Sequence, residues 1–447
     1  MNGLLGEAMK KICYLWLFAI LPLASVSAQK SMVPFEYYTL ENGLNVILHR
    51  DASTPIVCID ICYHVGSKDE VVGKTGFAHL FEHLMFDGSA NVKRAEFDRY
   101  CERAGGFNNA YTNEDKTNYY MMLPSNQLEL GLWLESDRLQ KLEITEYGLK
   151  TQREVVKEEK RQRVDNEPYG STDTKFAEYG FSVHPYHHTV IGSMEDISSA
   201  TMADVVGFHE IYYKPNNAVL VITGDIEMES TKKLVQKYFG EIPGSGTIPR
   251  VHTVEPPRTA QKREVVPDNV QLPAVFIAYN ICAEKDPDYF PLDLLSDVLS
   301  TGTSSRLYRS LVYEQQLANS VSTYVDAREH PGLFYIMAFA NPGVTPEKIE
   351  DAINKEIEKL KKESVSDVEV QKVKNKFEAS YYGSLQSVQA KADRLAHYAT
   401  FYGRPSMINS IITDYLNVSA KEIRDVAAKY LRPENSVALH YIPKEQK

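Results

Sequence analysis

Cysteine is scarce in this sequence, and the few cysteines present do not form a disulfide framework. The chain has 447 residues and 5 cysteines. Cys58 and Cys62 are four apart in a strand-like run, and in an extended strand that spacing is too long for a disulfide. No Cys-x-x-Cys pair is present, which argues against a cysteine-ligated metal site. We therefore expect Cys58, Cys62, Cys101 and Cys282 to be buried, reduced thiols.

An excess of basic residues and long apolar runs are also missing. The net charge of −11 argues against a nucleic-acid partner and against a basic membrane patch. An apolar run over residues 12–23 follows Lys10 and Lys11 and precedes small residues at 26–28, as in a signal peptide, and it is short for spanning a bilayer. We predict a signal peptide over residues 1–28 with a start at Met9, export to the periplasm, and no membrane span in the mature chain.

The segment 79–83 (HLFEH) carries the most chemical information. On a helix, His79 and His83 lie one turn apart on one face and can bind one metal ion together, while Glu82 can reach a water on that ion. This is the H-x-x-E-H pattern of zinc peptidases, although two histidines on a helix also occur by chance.

A third ligand is expected from the charged helix predicted over residues 151–161. Glu159 shares a face with Val155 and Val156, whereas Glu158 shares one with Glu154 and Arg161. The apolar face favours Glu159 as the inward carboxylate. Such a run is also typical of a solvated surface helix.

Several segments together resemble the pitrilysin/insulinase metallopeptidases, among them the short bacterial and mitochondrial-processing-peptidase-like members. They are residues 76–86 (GFAHLFEHLMF), 105–112 (GGFNNAYT), 153–159 (REVVKEE), 184–186 (HPY), 191–192 (IG), 215–218 (PNNA) and 223–225 (TGD). The family's third zinc ligand falls on Glu159, in agreement with the helical-face argument. A Glu that the family often has seven residues earlier is Gln152 here.

The alternation of strand-like and helix-like segments predicts a duplicated α+β unit. Strands are expected over 56–65, 117–123, 273–280 and 333–340, helices around His79 and over 127–141, 290–299 and 346–361, and a hairpin turns at Asn42-Gly43. The resemblance implies two similar halves, each a mostly antiparallel sheet with helices packed on it, that form half of a peptidase chamber. We place the halves at 29–241 and 259–447, with a proline-rich linker at 242–258.

The second half is expected to have lost the metal chemistry. An alignment of residues 298–302 on 84–88 puts Asp293 and Asp297 at the two histidine positions and Ser296 at the position of the base. The sequence therefore predicts one metal site per chain.

The resemblance implies a zinc-dependent endopeptidase that acts on peptides or unfolded segments, with one zinc per chain. His79, His83 and Glu159 would bind the metal, and Glu82 would act as general base. Residues Asn109, Ala110, Tyr111 and Thr112 would form an edge strand that binds the substrate by β-augmentation. Without the resemblance, the Gly- and Asn-rich segment reads as a turn into a strand.

One departure from the family pattern concerns the residues that stabilise the oxyanion of the transition state. Family members that act alone usually carry an Arg and a Tyr, seven apart, in the second half; the matching positions here are Val312 and Asn319. We therefore expect a heterodimer with a homologous chain that supplies the pair, or a homodimer in which Tyr313 or Arg309 replaces it. A non-catalytic scaffold or peptide-binding subunit, and a zinc hydrolase of small substrates, are the alternatives.

Overall fold

Two β-sheets, one in each half of the chain, carry the other elements of the described structure. The computed structural model describes residues 32–363 and 365–444, and the described residues from Val33 onward form one compact unit. The N-terminal half contains β1 Glu36–Thr39, β2 Asn45–Arg50, β3 Ile56–Tyr63, α1 Phe77–Leu84, α2 Phe97–Arg103, β4 Phe107–Thr112, β5 Thr117–Pro124, α3 Leu128–Lys141, α4 Glu146–Lys160, α5 Thr172–Gly180, α6 Met194–Ser199, α7 Met202–Tyr212, β6 Ala218–Gly224 and α8 Met228–Phe239. The C-terminal half contains β7 Lys262–Asp268, β8 Ala274–Asn280, α9 Tyr289–Ser300, β9 Ala318–Asp326, β10 Leu333–Ala340, α10 Pro346–Lys362, α11 Asp367–Ser384, α12 Val388–Tyr402, α13 Ile411–Asn417, α14 Ala420–Tyr430 and β11 Ser436–Pro443.

Each sheet is mixed but mostly antiparallel, as predicted. The N-terminal sheet has the strand order β1-β2-β6-β3-β5-β4, and the C-terminal sheet has the order β7-β11-β8-β10-β9. The pairs β2–β6 and β11–β7 are parallel, and the other pairs are antiparallel. The predicted α+β class is confirmed, and β4 is an edge strand of its sheet.

Each half contributes a helix that packs against the sheet of the other half. One face of the N-terminal sheet, with Cys58, Cys62 and Val221, packs in a single apolar cluster with Leu395 and Ala396 of α12. The C-terminal sheet in turn buries one face against Phe176 of α5 and the residues that follow it, Phe181 and Tyr186. Because each sheet is covered partly by the other half, neither half has a complete core by itself.

The segment predicted as a linker, 242–258, has neither helix nor strand and is fastened to the N-terminal half. Arg250 donates to the His64 carbonyl at 2.7 Å and to Asn217 Oδ1 at 2.6 Å. Glu255 accepts hydrogen bonds from the backbone N–H groups of residues 182–184. The domain boundaries on either side of this segment remain a prediction.

The four cysteines after the N-terminal stretch are buried and free, as expected. In the described part of the chain, no helix is long and apolar enough to cross a membrane. The predicted signal peptide, with Met9 and Cys13, lies outside the described residues.

Candidate metal centre

Helix α1 presents the two histidines, and its start is fixed by groups that are distant in sequence. Its N-cap, Gly76, has a φ of +88°, and a Cβ there would lie 2.7 Å from the Ile191 carbonyl oxygen. No side chain of the helix caps it, but the buried Glu70 carboxylate accepts from the Gly76 and Ala78 N–H groups at 2.9 and 2.7 Å. These contacts satisfy two of the free N–H groups at the helix start. The Ile191-Gly192 motif thus helps to position the metal helix.

The periodicity of α1 separates a core face from a ligand face. Leu80, Phe81 and Leu84 are buried in the apolar core of the N-terminal half. His79 and His83 lie on the other face, with ring centroids 4.8 Å apart. The helix therefore presents both Nε2 atoms to the same space.

Helix α4 brings in the carboxylate, although the predicted face was only half right. The helix starts at Glu146, earlier than predicted, and is capped by Thr145, whose hydroxyl accepts from Gly148 N at 3.0 Å. Val156 is buried, but Val155 is 43% exposed. The prediction that both valines share the buried face was wrong, because α4 packs through a narrower stripe than the sequence indicated.

Glu159 and Glu158 point in different directions. Glu159 Oε2 lies 3.7 Å from His79 Nε2 and 3.4 Å from His83 Nε2. The exposed Glu158 accepts from Arg161 at 3.0 Å and from Gln162 at 3.1 Å instead. The structure therefore brings together the three side chains predicted as ligands and leaves Glu158 in solvent.

The geometry of the trio fits a zinc ion. Ligand atoms of the three side chains all lie within 4.8 Å of one another. Two ligand atoms about 2.0–2.1 Å from a tetrahedral zinc are about 3.4 Å apart, close to the two carboxylate–imidazole distances. Two imidazoles and one carboxylate are a known donor set of catalytic zinc, which leaves a fourth position open.

The electrostatics also fit a cation. Burial, together with the neighbouring His83, lowers the pKa of His79 to about 4, so its imidazole is neutral at pH 7 and able to ligate. The hydrogen bond with His83 outweighs partial burial and lowers the pKa of Glu159 below its ordinary value. The site thus offers a neutral imidazole at His79 and an ionised carboxylate at Glu159.

Arg163 was not expected at this site. It lies in a π-helical turn, Arg161–Asp165, that continues α4, and its Nη1 donates to Glu159 Oε1 at 2.6 Å. This bond occupies one carboxylate oxygen and leaves the other facing the imidazoles. The spacing of four from Glu159 was the only trace of this contact in the sequence.

Glu82 and strand β4 meet beside the trio. Thr112, the last residue of β4, donates its hydroxyl to Glu82 Oε2 at 2.6 Å. Burial raises the pKa of Glu82, and the Thr112 hydrogen bond opposes that rise. A carboxylate of raised pKa that is held by one hydroxyl can accept a proton from a nearby water and return it.

These groups line a cavity of about 790 Å³ together with the predicted docking segment. Asn109, Ala110, Tyr111 and Thr112 all border it. Asn109 Oδ1 accepts from its neighbour's N–H, at Ala110, at 2.9 Å. The structure thus joins the metal trio, the carboxylate and the free edge of β4 in one space.

The far wall of the cavity comes from the C-terminal half. Tyr324, Asp326 and Arg328 lie there, and Arg328 pairs with Asp326 at 2.5 Å and with Glu114 at 3.0 Å. Their contribution was not expected, since nothing local in the sequence distinguishes them.

The two residues considered as replacements for the missing Arg and Tyr do not line this cavity. Arg309 is bonded to Glu314 at 2.7 Å, and Tyr313 is 76% exposed. Val312 packs against the core of the C-terminal half, and Asn319 is exposed. In the described structure, neither replacement borders the predicted site.

The second half holds no comparable site among the described residues. Asp293, Ser296 and Asp297 lie on α9, as aligned, but Asp293 accepts from the Tyr415 hydroxyl at 2.7 Å and Asp297 pairs with Lys376 at 3.2 Å. The trio in the N-terminal half is the only cluster of three metal-type donors found in the described part of the chain.

Two family models match the chain in succession: "Insulinase (Peptidase family M16)" over residues 45–193 and "Peptidase M16 inactive domain" over residues 199–377. The chain belongs to peptidase family M16. The resemblance noted in the sequence is thereby confirmed. The second description agrees with the lack of a donor cluster in the described residues of the C-terminal half.

This M16 chain is similar over nearly its whole length to proteins of the same size. The "Zinc protease PqqE" of Helicobacter pylori is 33% identical over 430 residues, which are 94% of this chain and 95% of that one. The "Mitochondrial-processing peptidase subunit beta" of Lentinula edodes is 25% identical over 428 residues, covering 92% and 90%. The crystal structure of a protease from Helicobacter pylori matches with a TM-score of 0.88 at 32% identity, over 92% of this chain and 100% of that one. All three names describe a peptidase or a subunit of one, and the first names zinc.

Proposed function

We propose that this M16 chain is a zinc-dependent endopeptidase that hydrolyses peptides or unfolded polypeptide segments. The observation that carries the proposal is one cavity that joins His79, His83 and Glu159 to Glu82 and to the free edge of β4. A metal trio alone could serve any hydrolase, but an edge strand beside it favours a polypeptide substrate over a small molecule.

Each residue has a role in this mechanism. His79, His83 and Glu159 would hold a zinc ion, which would supply Lewis acidity at this site. Glu82 accepts the proton of the attacking water and later donates it to the leaving amine. The backbone of β4, including Asn109 and Ala110, aligns the substrate as an added strand.

The peptidase proposal is tested by removal and return of the metal. The purified chain is treated with a chelator, dialysed, and assayed on an unstructured peptide before and after addition of one equivalent of zinc. We expect about one zinc per chain and cleavage only in the zinc-loaded protein. Equal cleavage by the metal-free protein would contradict the proposal, and a loaded protein that binds the peptide without cleaving it, alone or with a partner, would favour the scaffold alternative.

We further propose that the active enzyme is a heterodimer in which this chain contributes the metal and a homologous chain contributes an Arg and a Tyr. The support is that Val312 has no hydrogen-bond donor in its side chain, and that Asn319, Arg309 and Tyr313 do not line the cavity. One relative is itself named as a subunit. Loss of an oxyanion donor costs about 2.7–4 kcal/mol, so the chain alone should be about 10²–10³-fold slower than the complex.

The partner proposal is tested by mixing. A homologous chain that has the Arg/Tyr pair and lacks H-x-x-E-H is added to this chain at equal concentration, and peptide cleavage is followed. We expect a rise of about two to three orders of magnitude, most of which is undone when the partner's Tyr is replaced by Phe. Full activity of the isolated chain, unchanged by any partner, would contradict the heterodimer. Sedimentation would then show whether the active protein is a monomer or a homodimer.

The N-terminal segment is the basis for a proposal about the cellular compartment of the protein. We propose that residues 1–28 direct export to the periplasm and are removed. N-terminal sequencing of the protein from the periplasmic fraction should begin near Gln29, whereas an intact N-terminus in the cytoplasm would contradict this.

A further inference from the structure

The C-terminal half contacts strand β4 from the face of the N-terminal sheet opposite α1. Helix α12 lies across the face of the N-terminal sheet opposite α1, in an apolar contact that includes Cys62, Val219 and Ala396. Within this contact, Asp393 of α12 faces the end of β4. Its side chain is 42% exposed, so it lies at the rim of this contact and not in its core.

Asp393 has two partners, and both belong to the β4–β5 hairpin. The Tyr111 hydroxyl donates to Asp393 Oδ1, and Lys116 Nζ lies 3.2 Å from the same oxygen. The Lys116 ammonium also lies 5.0 Å from the centre of the Tyr111 ring. Burial alone would raise the pKa of Asp393, but the Lys116 ammonium and the Tyr111 hydroxyl outweigh it and the pKa lies below its ordinary value. One ionised carboxylate therefore binds the hairpin on both sides of its turn.

The turn itself is bonded to the same half of the chain. Glu114 pairs with Arg328 at 3.0 Å, and Asp115 Oδ2 accepts from Glu329 N at 2.9 Å. These bonds fix residues 114 and 115, which lie outside β4. Of the contacts described, only the Tyr111–Asp393 bond ties a residue of β4 itself to the C-terminal half.

An edge strand needs such support because it has a neighbour on one side only. β4 pairs with β5 and leaves its other edge free for a substrate. Successive side chains of a strand point to opposite faces, so Tyr111 reaches α12 while Thr112 reaches Glu82 on α1. Movement of Tyr111 would therefore move the edge on which a peptide is aligned.

We propose that Asp393 is a positioning residue of this peptidase, which acts through Tyr111 and Lys116 to hold β4 in the register that docks an extended peptide. This proposal rests on the proposed function. It gives the C-terminal half a role in substrate binding although its own residues need not touch the docked strand.

Tyr111→Phe is the test variant, because it removes the hydroxyl and leaves the Asp393–Lys116 pair in place. Tyr441→Phe is the matched control: its hydroxyl also joins the two halves, 2.9 Å from Thr172 Oγ1, but far from β4 in sequence and sheet. Both variants are assayed, with the proposed partner present, on a peptide of about ten residues, which can pair along all six residues of β4, and on a tripeptide, which cannot.

We expect Tyr111→Phe to raise KM for the long peptide about tenfold, as the loss of one charge-assisted hydrogen bond allows. Its kcat/KM should fall several times more on the long peptide than on the tripeptide. Tyr111→Phe and Tyr441→Phe should lower the melting temperature by similar amounts, but Tyr441→Phe should leave the KM values for both peptides unchanged. Asp393→Asn should repeat the KM effect with a larger loss of stability, since Lys116 is only 4% exposed and loses its anion.

Equal losses on long and short peptides, or the same KM change in Tyr441→Phe, would overturn the proposal and leave the bond a stabilising contact only. Binding of the long peptide is also measured by fluorescence anisotropy in a Glu82→Gln background, with and without Tyr111→Phe. If no protein cleaves any peptide, the proposed function fails, but the anisotropy result still decides the inference. An unchanged Kd on loss of the Tyr111 hydroxyl would refute it.

Discussion

The Thr112 hydroxyl donates a 2.6 Å hydrogen bond to Glu82 Oε2, which joins the docking strand to the carboxylate beside the metal trio. Thr112 was predicted to bind substrate, and its backbone can still do so. Its side chain, however, is directed at Glu82. The strand proposed to align the peptide and the carboxylate proposed to accept the proton are therefore joined by a direct hydrogen bond.

Thr112→Val tests this relation, because valine keeps the shape and removes the donor. Hydrogen bonds to charged groups contribute about 1.5–3 kcal/mol, so kcat should fall about 10–100-fold, with zinc content unchanged. Thr112→Ser keeps a hydroxyl and should recover most of the loss. The measurement is steady-state kinetics of the parent and both variants. Equal kcat values for Thr112→Val and Thr112→Ser would contradict the account.

The two neighbouring glutamates of α4 should differ in their effect on metal content. Glu159→Ala should lose most of the bound zinc, and so should His79→Ala, because each removes one of three ligands. Glu158→Ala should retain it, because that side chain bonds only Arg161 and Gln162. Metal analysis after dialysis gives the answer, and equal zinc loss from both glutamate variants would refute the assignment.

The charge of the cavity predicts a preference among peptides. Five carboxylates line it, from Glu82, Glu114, Glu159, Asp173 and Asp326, against the guanidinium groups of Arg163 and Arg328. The two positive charges of the proposed zinc ion reduce this formal negative excess without reversing it. A peptide that carries Arg should therefore be cleaved with a higher kcat/KM than the same peptide with Glu, and the ratio should shrink as salt is raised. A ratio that does not depend on salt would show that the charge of the cavity is irrelevant.

Acid stability should depend on the Arg306–Glu369 pair, which joins the segment before β9 to α11. The Arg306 guanidinium, with the opposing effect of partial burial, lowers the pKa of Glu369 from 4.5 to about 2. A folded pKa below the unfolded one stabilises the protein above about pH 4.5, and this stabilisation is lost as the pH falls towards 2.

Glu369→Gln should therefore lower the melting temperature at pH 7 by about 1–3 °C, with the difference vanishing near the folded pKa. Glu195→Gln, at an exposed residue with no ion pair in the described structure, is the control and should change little at either pH. A loss in Glu369→Gln that is the same at both pH values would show that the effect is not electrostatic.

Local patterns were enough to predict β3, β5, β8 and β10, the helices α1, α3, α9 and α10, and the composition of the metal trio, but not β6, β7, β9 and β11 or the long helices α11 and α12. His79, His83 and Glu159 could be found because helical spacing and a family resemblance agree, whereas β4 was expected from the resemblance alone, because its Gly and Asn residues read as a turn. The packing of α5 and α12 against the sheet of the opposite half could not be predicted, because apolar periodicity shows that a face is buried but not what covers it. Glu70, Arg328 and Asp393 act on the site from places with no local pattern, and the exposure of Val155 depends on how α4 packs.

Single-turnover cleavage by the Glu82→Gln variant tests the central claim most directly. Parent and variant, both loaded with zinc and in excess over an unstructured peptide, are compared by mass spectrometry, so that even slow cleavage by the isolated chain is measured. The amide of glutamine has nearly the shape of the carboxylate but cannot accept the proton. The account predicts equal zinc content and a loss of cleavage of at least about 10²–10⁴-fold in Glu82→Gln; cleavage at the parental rate by the zinc-loaded variant would contradict it.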